Sequence, residues 1–261
     1  MVSVVTTVYN GAGFLLRCVE QVVMQSLGTE NLEHVIVDDA STDETAQFLL
    51  MIAKKHSHIT ILSNTDKVGR SNALNKGIDS ARFDLIAILD VDDLWNCNKL
   101  QKQIEHAALV ESGNVLFTKS IRIEDDIVDD YVWRQGVYPR LHSKSAASLI
   151  LFSSLSHSSC LFSKKYYRYS ENFSNSQYDL NLYFDVILSS RQLFVLSEVL
   201  TVNTIHVKQN YQFQNKFRYS MNSLIHRYKF IKKGRLYVLM PILCVRIIYV
   251  IVSGLFKRVF R

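Results

Sequence analysis

The chain has 261 residues, 48% hydrophobic and 21% charged, enough to bury the core of one large domain, with two prolines and no low-complexity tract or internal repeat to mark a linker. Its net charge of +6 is unevenly divided: 12 bases and no acids follow Glu198, leaving 18 bases against 24 acids before it, so a mildly acidic body joins a basic tail. Four scattered cysteines, Cys18, Cys97, Cys160 and Cys244, offer no zinc spacing and suit a reducing compartment, and the N-terminus reads as a strand rather than a leader.

Strand and helix signals alternate through the first 120 residues. "VSVVTTV" is a β-branched run, and "GFLLRCVEQVVMQS" places Phe14, Leu15, Cys18, Val19, Val22 and Val23 at helical spacing. "HVIVDD" is a second strand. Ser41 and Glu44 have capping-box spacing, which predicts a helix from about Asp43 through "AQFLLMIAKK". "ITIL" follows as a strand, "SNALNKGIDSA" as a helix after Gly69, "LIAIL" as an apolar strand ending at Asp90, and "KLQKQIEHAALVE" as one helix. This alternation predicts an α/β fold with a mostly parallel central sheet and helices on both faces.

Ligands of such sheets bind at the carboxyl ends of the strands. Three predicted strand ends carry polar groups: Thr7, Tyr9 and Asn10; Asp38 and Asp39; and Asp90, Asp92 and Asp93 in "AILDVDDLW". Crowded carboxylates of this kind suit a hard divalent cation, Mn²⁺ or Mg²⁺, which keeps part of its shell for phosphate oxygens. Asp93 equally suits the start of the following helix, Tyr9 a packed strand end, and Trp95 the core or a site wall. An aspartyl phosphatase would carry its acid pair after the first strand, whereas here it follows the fourth.

The ordered set "VSVVTTVYNGAGFLLRCVEQVVMQS", "HVIVDDASTDET", "VGRSNALNKGI" and "AILDVDDLWNCNKLQKQI" resembles the family 2 glycosyltransferases of GT-A fold, strongly over residues 1–110 and weakly to 206. The resemblance implies a nucleotide-sugar-binding half over 1–112, an acceptor-side half over 113–206, and a UDP-sugar donor. Thr7, Tyr9, Asp38 and Asp39 would hold the nucleoside, Arg70 the nucleoside or phosphates, Asp90 ribose or metal-bound water, and Asp92 the metal. His206, in "LTVNTIHVKQN", would stand near the metal or diphosphate, with Thr204 where an arginine is common. The family's Glu-Asp pair aligns with Ser176 and Gln177. Gln177 cannot take a proton, so Asp179 is the candidate base, with Asp185 the other nearby acid and Glu171 upstream; an alignment shifted by two residues through a loop, or an impaired enzyme acting as a nucleotide-binding scaffold, stays open. His157 and Ser158 start the stretch resembling the acceptor-side strand.

Residues 207–261 form a basic, apolar tail. The run 236–256 is long enough to cross a membrane, but Arg246 at its middle, with Ser253 and Lys257 on the same side, suits a helix lying on an anionic membrane surface. A span or a core helix is the alternative. No nucleic-acid motif accompanies the bases. The implied setting is cytoplasmic, peripheral at the inner face of the membrane, with a saccharide or lipid-linked saccharide as acceptor.

Overall fold

The computed structural model describes residues 1–124, 131–133, 140–151, 155–169, 178–206 and 216–259, without the side chains of 216–219 and 251–259. Among the described residues the sheet has nine strands: β1 Val2–Val8, β2 Leu32–Asp38, β3 Ile59–Ser63, β4 Leu85–Ile88, β5 Leu94–Trp95, β6 Val115–Glu124, β7 Leu141–Lys144, β8 Leu161–Ser163 and β9 Leu193–Ile205. The order is β3-β2-β1-β4-β8-β6-β9-β5, with β7 beside β9. β3, β2, β1 and β4 run parallel, as do β6 and β9, while β8 pairs antiparallel with β4 and β6. The chain leaves β1 toward β2 and β3, then returns to β4 on the other side of β1. The carboxyl ends of β1 and β4 therefore flank a topological switch point.

Alternation along the strands sorts the core. Val5, Val35, Ile86, Phe117 and Phe162 pack on one face, and Val4, Ala87, Leu116 and Leu161 on the other. Helices α1 Ala12–Val23 and α2 Thr45–Lys55 pack on each other, and α3 Arg70–Ser80 lies on β1 and β2. A Cβ at Gly77 would stand 2.6 Å from Val5 Cγ1, so only glycine lets α3 approach this closely.

Two predicted helices differ in detail. α2 begins at Thr45 with Glu44 at its N-cap and no side-chain cap bond; the Ser41 hydroxyl, expected to cap it, accepts the Asn10 amide instead. The single helix expected over 99–111 is two, α4 Lys99–Ile104 and α5 Ala107–Glu111, broken where His106 takes φ −112° and ψ 22°.

Beyond the sheet come α6 Ala146–Leu151, α7 Tyr178–Leu188, α8 Lys216–Lys233 and α9 Met240–Val259. The described tail packs on the domain. Phe184 of α7 stacks on Phe230 of α8 at 4.1 Å, and Leu243 and Val250 of α9 join the main core. Buried Arg227 donates its Nε–H to Ile150 O at 2.9 Å, and Arg246 donates to Leu151 O. Two cations thus satisfy the last carbonyls of α6. Arg246, expected on the outward polar side of its helix, is turned inward by this demand. The side chains of Ser253 and Lys257 lie outside the described residues.

Candidate active site

The ends of β1 and β2 are zipped together by their own loops. Asn10, at φ 52°, donates its amide to Ser41 Oγ at 2.9 Å and accepts the Thr42 amide at 2.8 Å. Thr7 is half-buried on β1, and Tyr9 is exposed with Lys67 Nζ 3.3 Å above its ring. Asp38 is buried and accepts the Ser41 amide at 3.1 Å. Asp39 is buried and saturated: its carboxylate accepts Asn64 Nδ2 at 2.9 Å and the amides of Val68 at 2.9 Å and Gly69 at 3.0 Å. It anchors the loop that launches α3, and so fixes Arg70 at the first position of that helix.

The three acids after β4 each have a separate counterpart, which is how they coexist. Arg70 forms an ion pair with Asp90, whose Oδ1 also lies 3.4 Å from His157 Nδ1. Burial pushes the Asp90 carboxyl up, but Arg70 and His157 outweigh it and hold the group well below the usual carboxylate range. Asp92 faces His206, with Oδ2 and Nε2 3.0 Å apart. Asp93 is turned away from the rim, accepting the Thr204 amide at 2.9 Å and Asn203 Nδ2 at 2.7 Å. Burial first, then the charges of Asp92 and Asp90, drive its carboxyl well above the ordinary range. Asp93 therefore straps the acidic loop to β9 and does not start a helix. Thr204 completes the strap, its hydroxyl donating to Asp92 O at 2.6 Å, and Arg17 Nη2 donates to the same carbonyl at 3.0 Å.

Asp179 stands half-buried in the first turn of α7, within electrostatic reach of His157, Arg70 and Asp90. Burial raises its carboxyl above the ordinary value although His157 and Arg70 pull it down. Arg70 also lies 5.3 Å from the Tyr178 ring. Glu171, Ser176 and Gln177 lie outside the described residues. Asp185, the remaining acid near the base position, faces outward and pairs with Lys233 at 2.8 Å. His157, at the start of the stretch resembling the acceptor-side strand, is buried between Asp90 and the Tyr169 hydroxyl, which lies 2.6 Å from Nε2. Tyr169 is held in turn by Asn75, which exchanges two hydrogen bonds with its backbone at 2.8 and 2.9 Å. Trp95 is buried and donates Nε1–H to Ser158 O at 2.6 Å, as a wall of the site would.

Among the described residues no group of three or more His, Cys, Asp or Glu side chains could hold a metal alone. The Asp92 and His206 pair nonetheless fits a partial shell. Two donors about 2.1 Å from one octahedral cation and at right angles stand about 3 Å apart, and Oδ2 and Nε2 are 3.0 Å apart. The carboxylate oxygen suits Mn²⁺ or Mg²⁺, the imidazole favours Mn²⁺ of the two, and either ion would keep positions for phosphate and water.

A mostly parallel sheet with acids gathered at the ends of β2 and β4, the β4 loop strapped to a late strand, has the GT-A glycosyltransferase fold. The chain belongs to the glycosyl transferase family 2, whose model matches residues 3–168. It is 36% identical over 105 residues to the putative teichuronic acid biosynthesis glycosyltransferase TuaG of Bacillus subtilis, covering 40% of this chain and 41% of that protein. It is 33% identical over 129 residues to WfaP of Escherichia coli, a UDP-Glc:alpha-D-GlcNAc-diphosphoundecaprenol beta-1,3-glucosyltransferase, covering 49% of each. The chain thus spans about half the length of these relatives. The mannosyltransferase PcManGT of Pyrobaculum calidifontis, solved with GDP-Man and Mn²⁺, matches at a TM-score of 0.64 and 16% identity, over 97% of this chain and 75% of that one.

Proposed function

We propose that the chain is an inverting, divalent-cation-dependent glycosyltransferase that moves a sugar from a UDP-sugar to a hydroxyl of a saccharide or lipid-linked saccharide. The observation that carries this reading is the convergence of Asp92 and His206 at the switch point, beside strand ends that offer Thr7, Tyr9 and Asp38 to a nucleoside. WfaP supports the donor and acceptor classes by what its name describes, and PcManGT supports the cation. Arg70 sits where it can exchange its Asp90 partner for a phosphate oxygen.

In this reading Asp179 takes the proton from the acceptor hydroxyl, whose oxygen bonds to the anomeric carbon as the sugar–diphosphate bond breaks, and the leaving nucleoside diphosphate keeps the electron pair. Asp92 and His206 would hold the cation, which when bound supplies positive charge to the diphosphate. His157 and Arg70 hold Asp90 in place, and the Asp93–Thr204 strap fixes the backbone of Asp92. The protein works in the cytoplasm at the inner face of the membrane, where a lipid-linked acceptor lies.

A panel of nucleotide sugars with Mn²⁺, read as nucleoside diphosphate release, tests the proposal. Release with at least one UDP-sugar, lost on EDTA treatment and in Asp92→Ala, is expected. Absence of both release and UDP binding across the panel overturns it.

A further inference from the structure

Eight of the seventeen large hydrophobic side chains exposed among the described residues fall between Met221 and Tyr249, so exposure is concentrated on the tail helices. On α8, Met221, Ile225 and Tyr228 share one face at i, i+4 and i+7 spacing. On α9 and the turn before it, Val238, Val245, Ile248 and Tyr249 recur in the same way, Val238 at 82% and Tyr249 at 68% exposure. The opposite side of α9 is occupied: Leu243 and Val250 are buried in the core, and Arg246 is committed to Leu151 O. The one charge in the described part of α9 therefore points inward, and the described outer face is apolar without a charge. Lys229, Lys232 and Arg235 stand exposed at the end of α8 and just beyond it, and no acid follows Glu198.

We infer that the outer faces of α8 and α9 form a docking surface for an anionic lipid bilayer, lying flat upon it. The apolar face of α9 sinks among the acyl chains while Lys229, Lys232 and Arg235 meet lipid phosphates. Charge complementarity selects this occupant: a second copy pressed face to face would set these bases against themselves. The inference deepens the reading of a transferase acting on a membrane acceptor and rests on it for orientation. The Phe184–Phe230 stack ties α8 to α7, so the docking helices and the helix carrying Asp179 pack as one unit.

The test is flotation of the full chain with phosphatidylcholine vesicles, with and without phosphatidylglycerol. Binding to the anionic vesicles alone, weakened by salt and released by alkaline carbonate, is expected. Lys229→Gln and Lys232→Gln should each lower the partition coefficient about fivefold, and Val245→Asp with Ile248→Asp should abolish binding. UDP binding, measured on every variant, should match the parent and so report an intact fold. Equal binding with and without phosphatidylglycerol, or variants that bind like the parent, overturns the inference. So does carbonate-resistant insertion, which means a span, or a dimer dissolved by Val245→Asp, which means an interface between copies. UDP binding without vesicle binding sinks the docking surface alone; vesicle binding without any nucleotide binding sinks the transferase reading alone.

Discussion

Asp92 and His206 lie 114 positions apart in sequence, yet their Oδ2 and Nε2 atoms stand 3.0 Å apart at the switch point. Phe14 of α1 packs against the imidazole at 5.1 Å, so the ring is fixed from a second side. If the pair holds a cation, His206→Ala and Asp92→Ala should each reduce sugar transfer about a hundredfold, the scale expected when one electrostatic support of a leaving group is removed. Calorimetry should show that Mn²⁺ strengthens UDP binding to the parent and has little effect in either variant. Unchanged metal dependence in both would place the cation elsewhere.

The strap behind that pair has its own signature. Asp93 accepts the Thr204 amide and Asn203 Nδ2 while buried, so Asp93→Ala strands the Thr204 amide and leaves Asn203 Nδ2 with Ser156 Oγ alone. A loss of about 1–3 kcal/mol in unfolding free energy is expected from denaturant titration. Asp93→Asn should keep the shape while offering one acceptor in place of two. It should therefore recover part of the stability but position Asp92 less well, lowering transfer more than UDP affinity. Equal stability of parent and Asp93→Ala would mean the strap contributes nothing.

These two relationships also mark what was readable from the chain alone. Local signals gave the first half. β-branched runs and apolar spacing predicted β1, α1, β2, β3 and α3, and the strand-end acids pointed to the rim. Long-range satisfaction was not readable. Asp93 looked like a helix-start acid because its partners lie on β9, more than a hundred positions away. Asp39 looked like a ligand-facing acid, and its saturation by the 64–69 loop shows only in three dimensions. His157 and Tyr169 carry no periodic signal because they serve a side-chain chain and not an element face. Arg246 was misread in direction because the need of α6 for donors at its C-terminal carbonyls is invisible from α9.

Asp179 gives a prediction with a defined sign. Burial raises its carboxyl, and a general base works only when ionised. The acid limb of the pH–rate profile should therefore lie above the ordinary aspartate value of about 3.9, with the rate falling as pH drops through it. Asp179→Asn should cost about 10²–10⁴ in turnover, flatten that limb and leave UDP affinity intact. A variant as active as the parent would assign the base elsewhere. A parent that binds UDP but transfers nothing would favour the scaffold reading raised by Gln177.

A last prediction concerns stability and the centre of the sheet. His34 is fully buried on β2, with Nε2 3.0 Å from Thr6 Oγ1 of β1. Burial drives its pKa down to about 3, so the fold accepts only the neutral ring. The unfolded chain binds a proton near the ordinary value of about 6.5. Between these values the unfolded state holds the extra proton. The contribution of neutral His34 is therefore complete above pH 6.5 and declines as pH falls toward 3. The slope is about 1.4 kcal/mol per pH unit for one proton, so moving from pH 6.5 to pH 5 should cost about 2 kcal/mol. Urea titrations across that range should show the loss in the parent and a shallower pH slope in His34→Gln, whatever the variant's absolute stability. Parallel slopes for the two proteins would mean that the ring can be protonated without unfolding the β1–β2 core.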